Sequence, residues 1–344
     1  MIVCNHRPFI EGSKDLNNNA LILPQSQRNA WQVKCLSALS HLEPEDEITL
    51  AQELAEKYLP PSFKERCQRF NQPNGSSYIY IVGLPQDPQL PPTPSNGMSS
   101  ASKKTRVSEL VLLGLVAFAF DAEVFSYREQ KEGELIQQVV PIKGQEFTNS
   151  NASITNFGWH SDDALIPRSL RAEGIALNTL RNQQTATYYA PVDEIVAELG
   201  KMNPRHLEVL RQNRFRVRTP ESFNVYKGKV IQSEPRPLIT RGQSGTEIAL
   251  ATYNVEPAER DDIEAQMAIL ALRLVLERPS VAKSFVLKPG EALIISNLKG
   301  LHARNSIFGD RWLQRCYFRK DLSDLRATTN TEGRVFPSEQ LVLL

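Results

Sequence analysis

The fold of this chain is constrained most by a series of short, apolar, strand-like runs in its central and C-terminal parts. Such runs occur at residues 78–82, 134–141, 174–180, 185–189, 248–253, 292–297 and 311–318. Helical spacing of apolar residues occurs at 27–42, 48–58, 108–119, 191–199 and 261–277. Because the helices gather in the N-terminal third and in two insertions, the pattern predicts a mainly β protein with helical cover. A double-stranded β-helix, or jelly-roll barrel, with N-terminal and inserted helices is the natural candidate.

The length of 344 residues is compatible with one large domain or two ordinary ones. We expect a single domain over residues 1–344, with helical cover at 1–75 and a jelly-roll core with insertions at 76–330. The Pro-, Ser- and Asn-rich piece at 84–105 is predicted to be a surface loop and not a linker, because the motifs on either side belong to one site. The polar segment at 143–156 is a candidate lid.

Charge and cysteine content narrow the classes of partner and compartment. The net charge of +1, from 40 basic and 39 acidic residues, gives no electrostatic argument for nucleic acid or a membrane surface. The cysteines lack a C-x-x-C pair and are interpreted as reduced thiols; they are Cys4, Cys35, Cys67 and Cys316. The apolar run at 110–120 is too short to span a bilayer, and residues 1–7 lack the apolar core of a signal peptide. We therefore expect a cytoplasmic protein.

One short motif indicates a metal site. His160 and Asp162 are two residues apart, so on an extended strand they project from the same face. They would supply two thirds of a 2-His-1-carboxylate triad, the ligand set of non-haem Fe(II) oxygenases. Of the five histidines, His302 is the best third ligand, because it follows the apolar run at 292–297 and precedes an arginine-rich strand. Taken alone, the H-x-D triplet is a weak signal that is more often a surface loop, here with Trp159 as a core anchor.

Six groups of residues carry a resemblance to a known family. They are Gly83-Leu84 with 90–94; Gly133 and Leu135 with Val140-Pro141; 159–163; Leu180-Arg181 with Ala186-Thr187; His302-Ala303-Arg304; and 310–315. With these marks, the chain from about Tyr78 to Leu322 resembles the clavaminate synthase-like Fe(II)/2-oxoglutarate dioxygenases. The branch in question contains the arginine, asparagine and lysine hydroxylases. The block from His302 to Arg315 is the most specific.

The resemblance implies that His160, Asp162 and His302 are iron ligands, which leave open positions for a keto acid and then O2. Some relatives carry glutamate where this chain has Asp162, a difference in reach and not in ligand chemistry. Halogenating members of the wider superfamily lack this carboxylate, so oxygenation is favoured over chlorination. The loop between His302 and Arg311 is shorter than in the amino-acid hydroxylases, so the rim of the site is expected to differ.

The resemblance also implies roles for residues that bind carboxylates and amines. Arg311 would bind the far carboxylate of 2-oxoglutarate, since a guanidinium can bond both of its oxygens. The hydroxyl of Thr187 would assist, with Thr185 as the less favoured substitute. Arg315, four residues after Arg311 on the same strand face, would bind the substrate α-carboxylate, and Gln130 would meet the substrate amine.

The function implied is Fe(II)- and 2-oxoglutarate-dependent hydroxylation of an unactivated C–H bond in a free or carrier-bound L-amino acid, with O2 consumed and succinate and CO2 released. Two alternatives stay open from the residues. One is a non-catalytic β-barrel sensor that binds a metal and 2-oxoglutarate, and the other is a zinc hydrolase with the same three ligands. Arg311 argues against the hydrolase, which has no need of a buried arginine dedicated to a keto acid.

Residues before the long helix are expected to select the substrate side chain. Arginine-hydroxylating relatives carry two acidic residues there, and the matching positions here are Asn254 and Glu256. One carboxylate and one amide would favour a basic or neutral polar amino acid over an acidic one. Nearby, Arg214, Arg216 and Arg218 alternate along a predicted strand, which indicates a solvated face; a nucleic-acid stripe is the minority alternative.

Overall fold

The computed structural model describes residues 20–39, 47–98, 105–218 and 231–342. Cys4, His6 and His41 lie outside these ranges. The helices are α1 Gln25–Ala38, α2 Glu47–Tyr58, α3 Pro61–Gln68, α4 Arg106–Gly114, α5 Val192–Met202, α6 Pro204–Leu210, α7 Ile263–Leu276 and α8 Ser323–Thr329. The strands are β1 Leu21–Ile22, β2 Tyr78–Val82, β3 Glu123–Tyr127, β4 Gln137–Val139, β5 Phe157–His160, β6 Gly174–Asn182, β7 Thr187–Pro191, β8 Phe215–Val217, β9 Ile239–Gly242, β10 Gly245–Ile248, β11 Val255–Pro257, β12 Lys283–Phe285, β13 Glu291–Ser296, β14 Gly300–Arg304, β15 Arg311–Arg319 and β16 Val335–Phe336.

Two open sheets form the scaffold of the described chain. The larger has the order β1-β2-β13-β6-β15-β3-β16, with β4 also paired to β15, and the smaller has the order β12-β7-β14-β5. Nearly all neighbours are antiparallel; the pairs β1–β2 and β16–β3 are parallel. The prediction of a mainly antiparallel β protein with helical cover is therefore confirmed, with facing sheets in place of a closed barrel.

Alternating side chains of the large sheet serve two separate cores. Leu293 and Ile295 of β13 pack into the core that also contains residues of the small sheet, such as Tyr189 and Leu301. The intervening residues of the same strand belong to a second core with the N-terminal helices. Because successive strand residues point to opposite faces, one strand can join both cores. This arrangement places the small sheet, and the strand of His160, against the inner face of the large sheet.

The second core explains why the N-terminal helices cover the sheet. Trp31 of α1 is fully buried, and it shares a cluster with Ala55 of α2 and Ile294 of β13. The burial of a large aromatic side chain contributes substantially to stability. These contacts agree with the prediction that the N-terminal region packs as helical cover.

The predicted helix at 108–119 differs at its start. It begins at Arg106 and continues after Gly114 as a π-helical turn, Leu115–Ala119. Ser108 lies inside the helix and does not cap it. Instead, the carboxylate of Asp87 accepts the backbone N–H groups of Val107 and Ser108, at 2.9 and 3.1 Å. A distant side chain thus satisfies the N–H groups that a local cap would otherwise bind.

Three predicted strands also differ in extent. The run at 134–141 is a strand only at Gln137–Val139. The run at 248–253 leaves the sheet after Ile248, apart from an isolated bridge between Ala251 and His160. The strand expected from Thr185 begins at Thr187, so Thr185 precedes the strand and does not share its face.

Among the described residues, no helix combines the length and apolarity that crossing a bilayer requires. Cys35, Cys67 and Cys316 are free and buried.

Candidate active site

The two predicted histidine ligands lie on neighbouring strands. β14 pairs with β5 in antiparallel register, and His302 is the direct Cα partner of His160. Cross-strand partners project from the same face of a sheet, so their rings meet, with centroids 4.0 Å apart. The register of β14 and β5 shifts between His302 and Arg304, which locally bends the strand pair at the site.

Asp162 completes a compact set of ligand atoms. Its Oδ1 atom lies 3.3 Å from Nε2 of His160 and 3.5 Å from Nε2 of His302. All three ligand atoms lie within 4.8 Å of one another, and Asp162 and His160 are buried. Two imidazoles and one carboxylate that converge in this way fit a divalent metal and leave part of its coordination sphere open.

Hydrogen bonding at His160 and burial at His302 prepare the two imidazoles as metal ligands. Nδ1 of His160 lies 2.7 Å from the carbonyl oxygen of Gly158, which can only accept a hydrogen bond. The proton of the neutral ring therefore sits on Nδ1, and Nε2 presents its lone pair towards Asp162. Burial, and then the neighbouring His160, lower the pKa of His302 to about 4, so this imidazole is neutral at pH 7.

Asp162 is oriented by Arg315, for which the resemblance implied a different role, and by Tyr317, which the sequence did not single out. Its Oδ2 atom accepts hydrogen bonds from Arg315 Nη1 at 2.9 Å and from the Tyr317 hydroxyl at 2.8 Å. Oδ1 is left facing the histidines. Although burial opposes ionisation, the charge of Arg315 holds the pKa of Asp162 well below its ordinary value. The carboxylate is thereby kept as an anion suited to a metal.

A buried asparagine holds the backbone of the same residue. Asn297 accepts the N–H of Asp162 through Oδ1 at 2.7 Å and donates Nδ2–H to its carbonyl at 3.0 Å. Its amide also donates to the Ala172 carbonyl at 3.2 Å. Only their positions in the sequence could have pointed to these two residues. Asn297 ends the apolar run at 292–297, and Tyr317 shares the strand face of Arg315.

Arg315 and Gln130 are brought together as predicted. Nη2 of Arg315 lies 3.3 Å from Oε1 of Gln130, and Gln130 Nε2 donates to Asp163 Oδ1 at 3.1 Å. The Arg315 guanidinium also donates to Oε1 of Gln137, which sequence reasoning missed. One guanidinium thus links the carboxylate of a metal ligand to the amides expected around a substrate.

Three residues with left-handed backbone conformation lie at the cavity beside His160 and Asp162. Lys131, Glu132 and Asp163 have φ values of 49°, 55° and 54°. All three line the same cavity as His160 and Asp162. Non-glycine residues rarely adopt this conformation, and such strain clusters at functional sites.

The cavity has a volume of about 630 Å³, within the range of small-molecule sites. The candidate lid at 143–156 contributes Gln145, Ser150 and Asn151 to its wall. This segment is anchored from below, because Nη2 of Arg304 donates to the Ser153 carbonyl at 2.9 Å. The polar loop therefore forms part of the wall of the cavity.

Arg311 is buried without an acidic partner in the described chain. It is 4% exposed, and neither its Nε nor its Nη1 atom has a hydrogen-bond partner there. Burial, and then Arg304, lower its pKa to about 9. Thr187 is the Cα partner of Arg304 across β7 and β14. Because Arg304 is also close enough to affect the pKa of Arg311, the residues Thr187, Arg304 and Arg311 lie in one region. Orphaned guanidinium donors fit a planar carboxylate of a bound anion.

The predicted selectivity residues occupy a different position. Neither Asn254 nor Glu256 lines the cavity. Glu256, on β11, accepts hydrogen bonds from the side chains of Arg218 and Gln232. Nδ2 of Asn254 is buried and has no partner among the described residues. Arg218, from the neighbouring strand β8, reaches the cavity instead.

The three alternating arginines do not form a free basic stripe. Arg214 pairs with Asp262 and Glu264, Arg216 lies 3.9 Å from Glu234, and Arg218 pairs with Glu256. The interpretation as an ion-paired, solvated strand face fits these contacts better than a nucleic-acid surface.

Adjacent strands present the two imidazoles, and the carboxylate of Asp162 joins them from just beyond the end of β5. This ligand set is that of mononuclear non-haem iron proteins. The model of the taurine catabolism dioxygenase TauD, TfdA family matches residues 117–317, more than half of the chain, and the chain belongs to this family.

Two curated relatives are similar over most of their length. L-asparagine oxygenase of Streptomyces coelicolor is 28% identical over 275 residues, covering 78% of this chain and 78% of that protein. L-ornithine/L-arginine 3-hydroxylase of Catenulispora acidiphila is 26% identical over 320 residues, covering 83% and 89%. These matches confirm the resemblance to the amino-acid hydroxylase branch.

A solved structure of asparagine oxygenase with Fe(II), 2S,3S-3-hydroxyasparagine and succinate superimposes with a TM-score of 0.79. The sequence identity is 24%, and the match covers 93% of this chain and 99% of that one. This likeness confirms the predicted jelly-roll scaffold.

Proposed function

We propose that this protein is an Fe(II)- and 2-oxoglutarate-dependent oxygenase that hydroxylates an unactivated C–H bond of an L-amino acid. The observation that carries the proposal is the convergence of His160, Asp162 and His302, with Arg315 bonded to Asp162 and reaching Gln130. Family membership and the similarity to enzymes named for the oxidation of asparagine, ornithine and arginine support it.

His160, Asp162 and His302 would hold the metal. When bound there, Fe(II) together with 2-oxoglutarate and O2 supplies the oxidant that inserts one oxygen atom into the substrate C–H bond, while succinate and CO2 leave. Arg311 would bind the far carboxylate of 2-oxoglutarate, with the Thr187 hydroxyl beside it. The unpartnered Nε and Nη1 atoms of Arg311 support this role.

Arg315 and Gln130 would orient the substrate. Arg315 uses Nη1 for Asp162 and turns Nε and Nη2 towards the amides of Gln137 and Gln130. A substrate α-carboxylate would replace these amide oxygens as the stronger, charged acceptor. Gln130 would then be free to accept from the substrate ammonium. Fixing both groups at one end of the cavity selects which carbon faces the metal.

The whole chain would act as one catalytic domain, because α1 and α2 share a core with the sheet that carries Arg311 and Arg315. We propose a free amino acid as the substrate, since the structural relative was solved with free 3-hydroxyasparagine. A carrier-bound substrate, a cytoplasmic location and lid movement of residues 143–156 stay predictions from the sequence.

The test is succinate release from 2-oxoglutarate with purified protein, Fe(II), O2 and a panel of the twenty L-amino acids plus ornithine. We expect amino-acid-dependent succinate and a hydroxylated product for at least one member. Anaerobic addition of Fe(II) and 2-oxoglutarate should give a weak visible charge-transfer band. A band without any hydroxylated product would favour the sensor, and neither band nor succinate would favour the zinc hydrolase.

A further inference from the structure

Besides Asp162 and Asp163, the charged residues that line the cavity fall into two groups. Glu129, Lys131, Glu132 and Arg315 come from β15 or from the connection between β3 and β4, and they surround the end at which Gln130 lies. Another part of the wall is built by the end of β8 with the residue that follows it, and by the segment before β11. Its lining residues are Val217, Arg218, Ala251 and Tyr253, so Arg218 carries the only charge of that part among the described residues.

Arg218 reaches the cavity with its charge already compensated. Its Nη2 donates to Glu256 Oε2, and its backbone N–H donates to the Asn254 carbonyl at 2.9 Å. Gln232 donates to the second oxygen of Glu256. The side chains of Arg218 and Glu256 are 46% and 38% exposed, so the pair lies at the rim of the site and not in the core.

We infer that the Arg218–Glu256 pair selects the side chain of the substrate, and that it favours L-amino acids with a neutral polar side chain. The inference rests on the proposed function and narrows the sequence-based expectation of a basic or neutral polar substrate. The substrate α-groups are taken by Arg315 and Gln130. The side chain therefore extends towards the wall on which Arg218 is the charged residue.

Each class of side chain meets this pair differently. A cationic side chain approaches Arg218 first and is repelled by its charge. Glu256 cannot attract it, because this carboxylate does not line the cavity and already accepts hydrogen bonds from Arg218 and Gln232. An anionic side chain must draw Arg218 away from Glu256 and leave that carboxylate unpaired. An amide or hydroxyl can accept one of the remaining guanidinium N–H groups without breaking the pair. Selectivity thus arises from the pairing of the two charges.

Opposite substitutions should shift selectivity in opposite directions. Arg218→Gln removes the guanidinium and leaves the Glu256 carboxylate next to the cavity, so kcat/KM for lysine, ornithine and arginine should rise relative to asparagine and glutamine. Glu256→Gln leaves Arg218 unpaired, so kcat/KM for aspartate and glutamate should rise relative to asparagine and glutamine. At a half-exposed site, we expect each ratio to change about two- to fivefold.

The measurement is kcat/KM for succinate release with each amino acid, for wild type and both variants. Ratios within one preparation do not depend on the fraction of active protein. Arg214→Gln is the matched control, because Arg214 belongs to the same alternating run, is ion-paired, and does not line the cavity. Its ratios should equal those of wild type. A wild-type preference for charged side chains, or variants whose ratios both match wild type, would overturn the inference.

Failure of this inference is distinguishable from failure of the proposed function. If wild type gives the anaerobic charge-transfer band and amino-acid-dependent succinate while the ratios stay fixed, only the role of Arg218 and Glu256 is wrong. If wild type gives neither signal with any amino acid, the oxygenase assignment itself is wrong.

Discussion

Replacement of Arg311 by alanine tests the assignment of the 2-oxoglutarate site most directly. Arg311 is 4% exposed, and two of its nitrogens have no partner among the described residues. A lowering of its pKa from 12.5 to about 9 corresponds to roughly 5 kcal/mol of unfavourable free energy for the charged form. A bound carboxylate would recover part of this free energy, which is the physical reason to expect a ligand there.

The expected loss of affinity for 2-oxoglutarate follows from removing one partner of a buried charge pair, which typically costs about 2–5 kcal/mol. Since about 1.4 kcal/mol is a factor of ten, the apparent affinity for 2-oxoglutarate should fall about 30-fold or more in Arg311→Ala. Arg311→Lys should recover only part of the loss, because lysine lacks the planar fork. Without 2-oxoglutarate, Arg311→Met should be at least as stable as wild type, since it removes an unpaired buried charge.

The assay is the dependence of the charge-transfer band and of succinate release on 2-oxoglutarate concentration, with thermal unfolding as the measure of stability. Arg326→Ala is a suitable control, because Arg326 forms a partly exposed ion pair with Glu123 on the far end of the sheet. An unchanged Michaelis constant for 2-oxoglutarate in Arg311→Ala would refute the reasoning and assign the far carboxylate to another residue.

Three further predictions concern the metal ligands and their supports. His160→Ala or His302→Ala should abolish Fe(II)-dependent succinate formation while circular dichroism stays native; full activity in either would remove the assignment. Asn297→Ala should weaken Fe(II) binding about 10- to 100-fold, because the backbone of Asp162 loses its clamp. Tyr317→Phe should weaken it about tenfold or less, since Arg315 still holds Oδ2. Fe(II) titration checks both, and wild-type affinity in both would show that these contacts do not position the carboxylate.

The parts of the fold that were predicted correctly depend on local pattern. Strands β2, β6, β13 and β15 coincide with long apolar runs, and α7 lies within the predicted helix at 261–277. His302 was chosen as the partner of His160 because it follows a distant apolar strand. The two-residue period joined His160 to Asp162, although β5 ends at His160 and Asp162 lies just beyond it. The short parallel strands β1 and β16 carry too few residues to show a period, and they exist only because a longer strand lies beside them.

The parts that were missed depend on contacts between distant residues. Asp87 caps a helix that begins nineteen positions later at Arg106. Asn297 clamps Asp162 across 135 positions of sequence. Glu256 was expected in the cavity because its carboxylate was considered without Arg218, and the ion pair between them reverses which of the two faces the substrate. Local sequence gives no measure of such pairings.

The position of Arg315 has a thermodynamic consequence. One guanidinium hydrogen-bonds to Asp162 and also reaches Gln130, so the proposed metal site and the proposed amino-acid site share a protein group. If a bound metal changes the strength of the hydrogen bond between Asp162 and Arg315, it also changes how strongly the Arg315 guanidinium can bind the substrate carboxylate. Because such coupling is reciprocal, the factor by which iron changes the affinity for the amino acid must equal the factor by which the amino acid changes the affinity for iron. The cell's supply of its substrate would thereby help to determine how much of this protein carries metal.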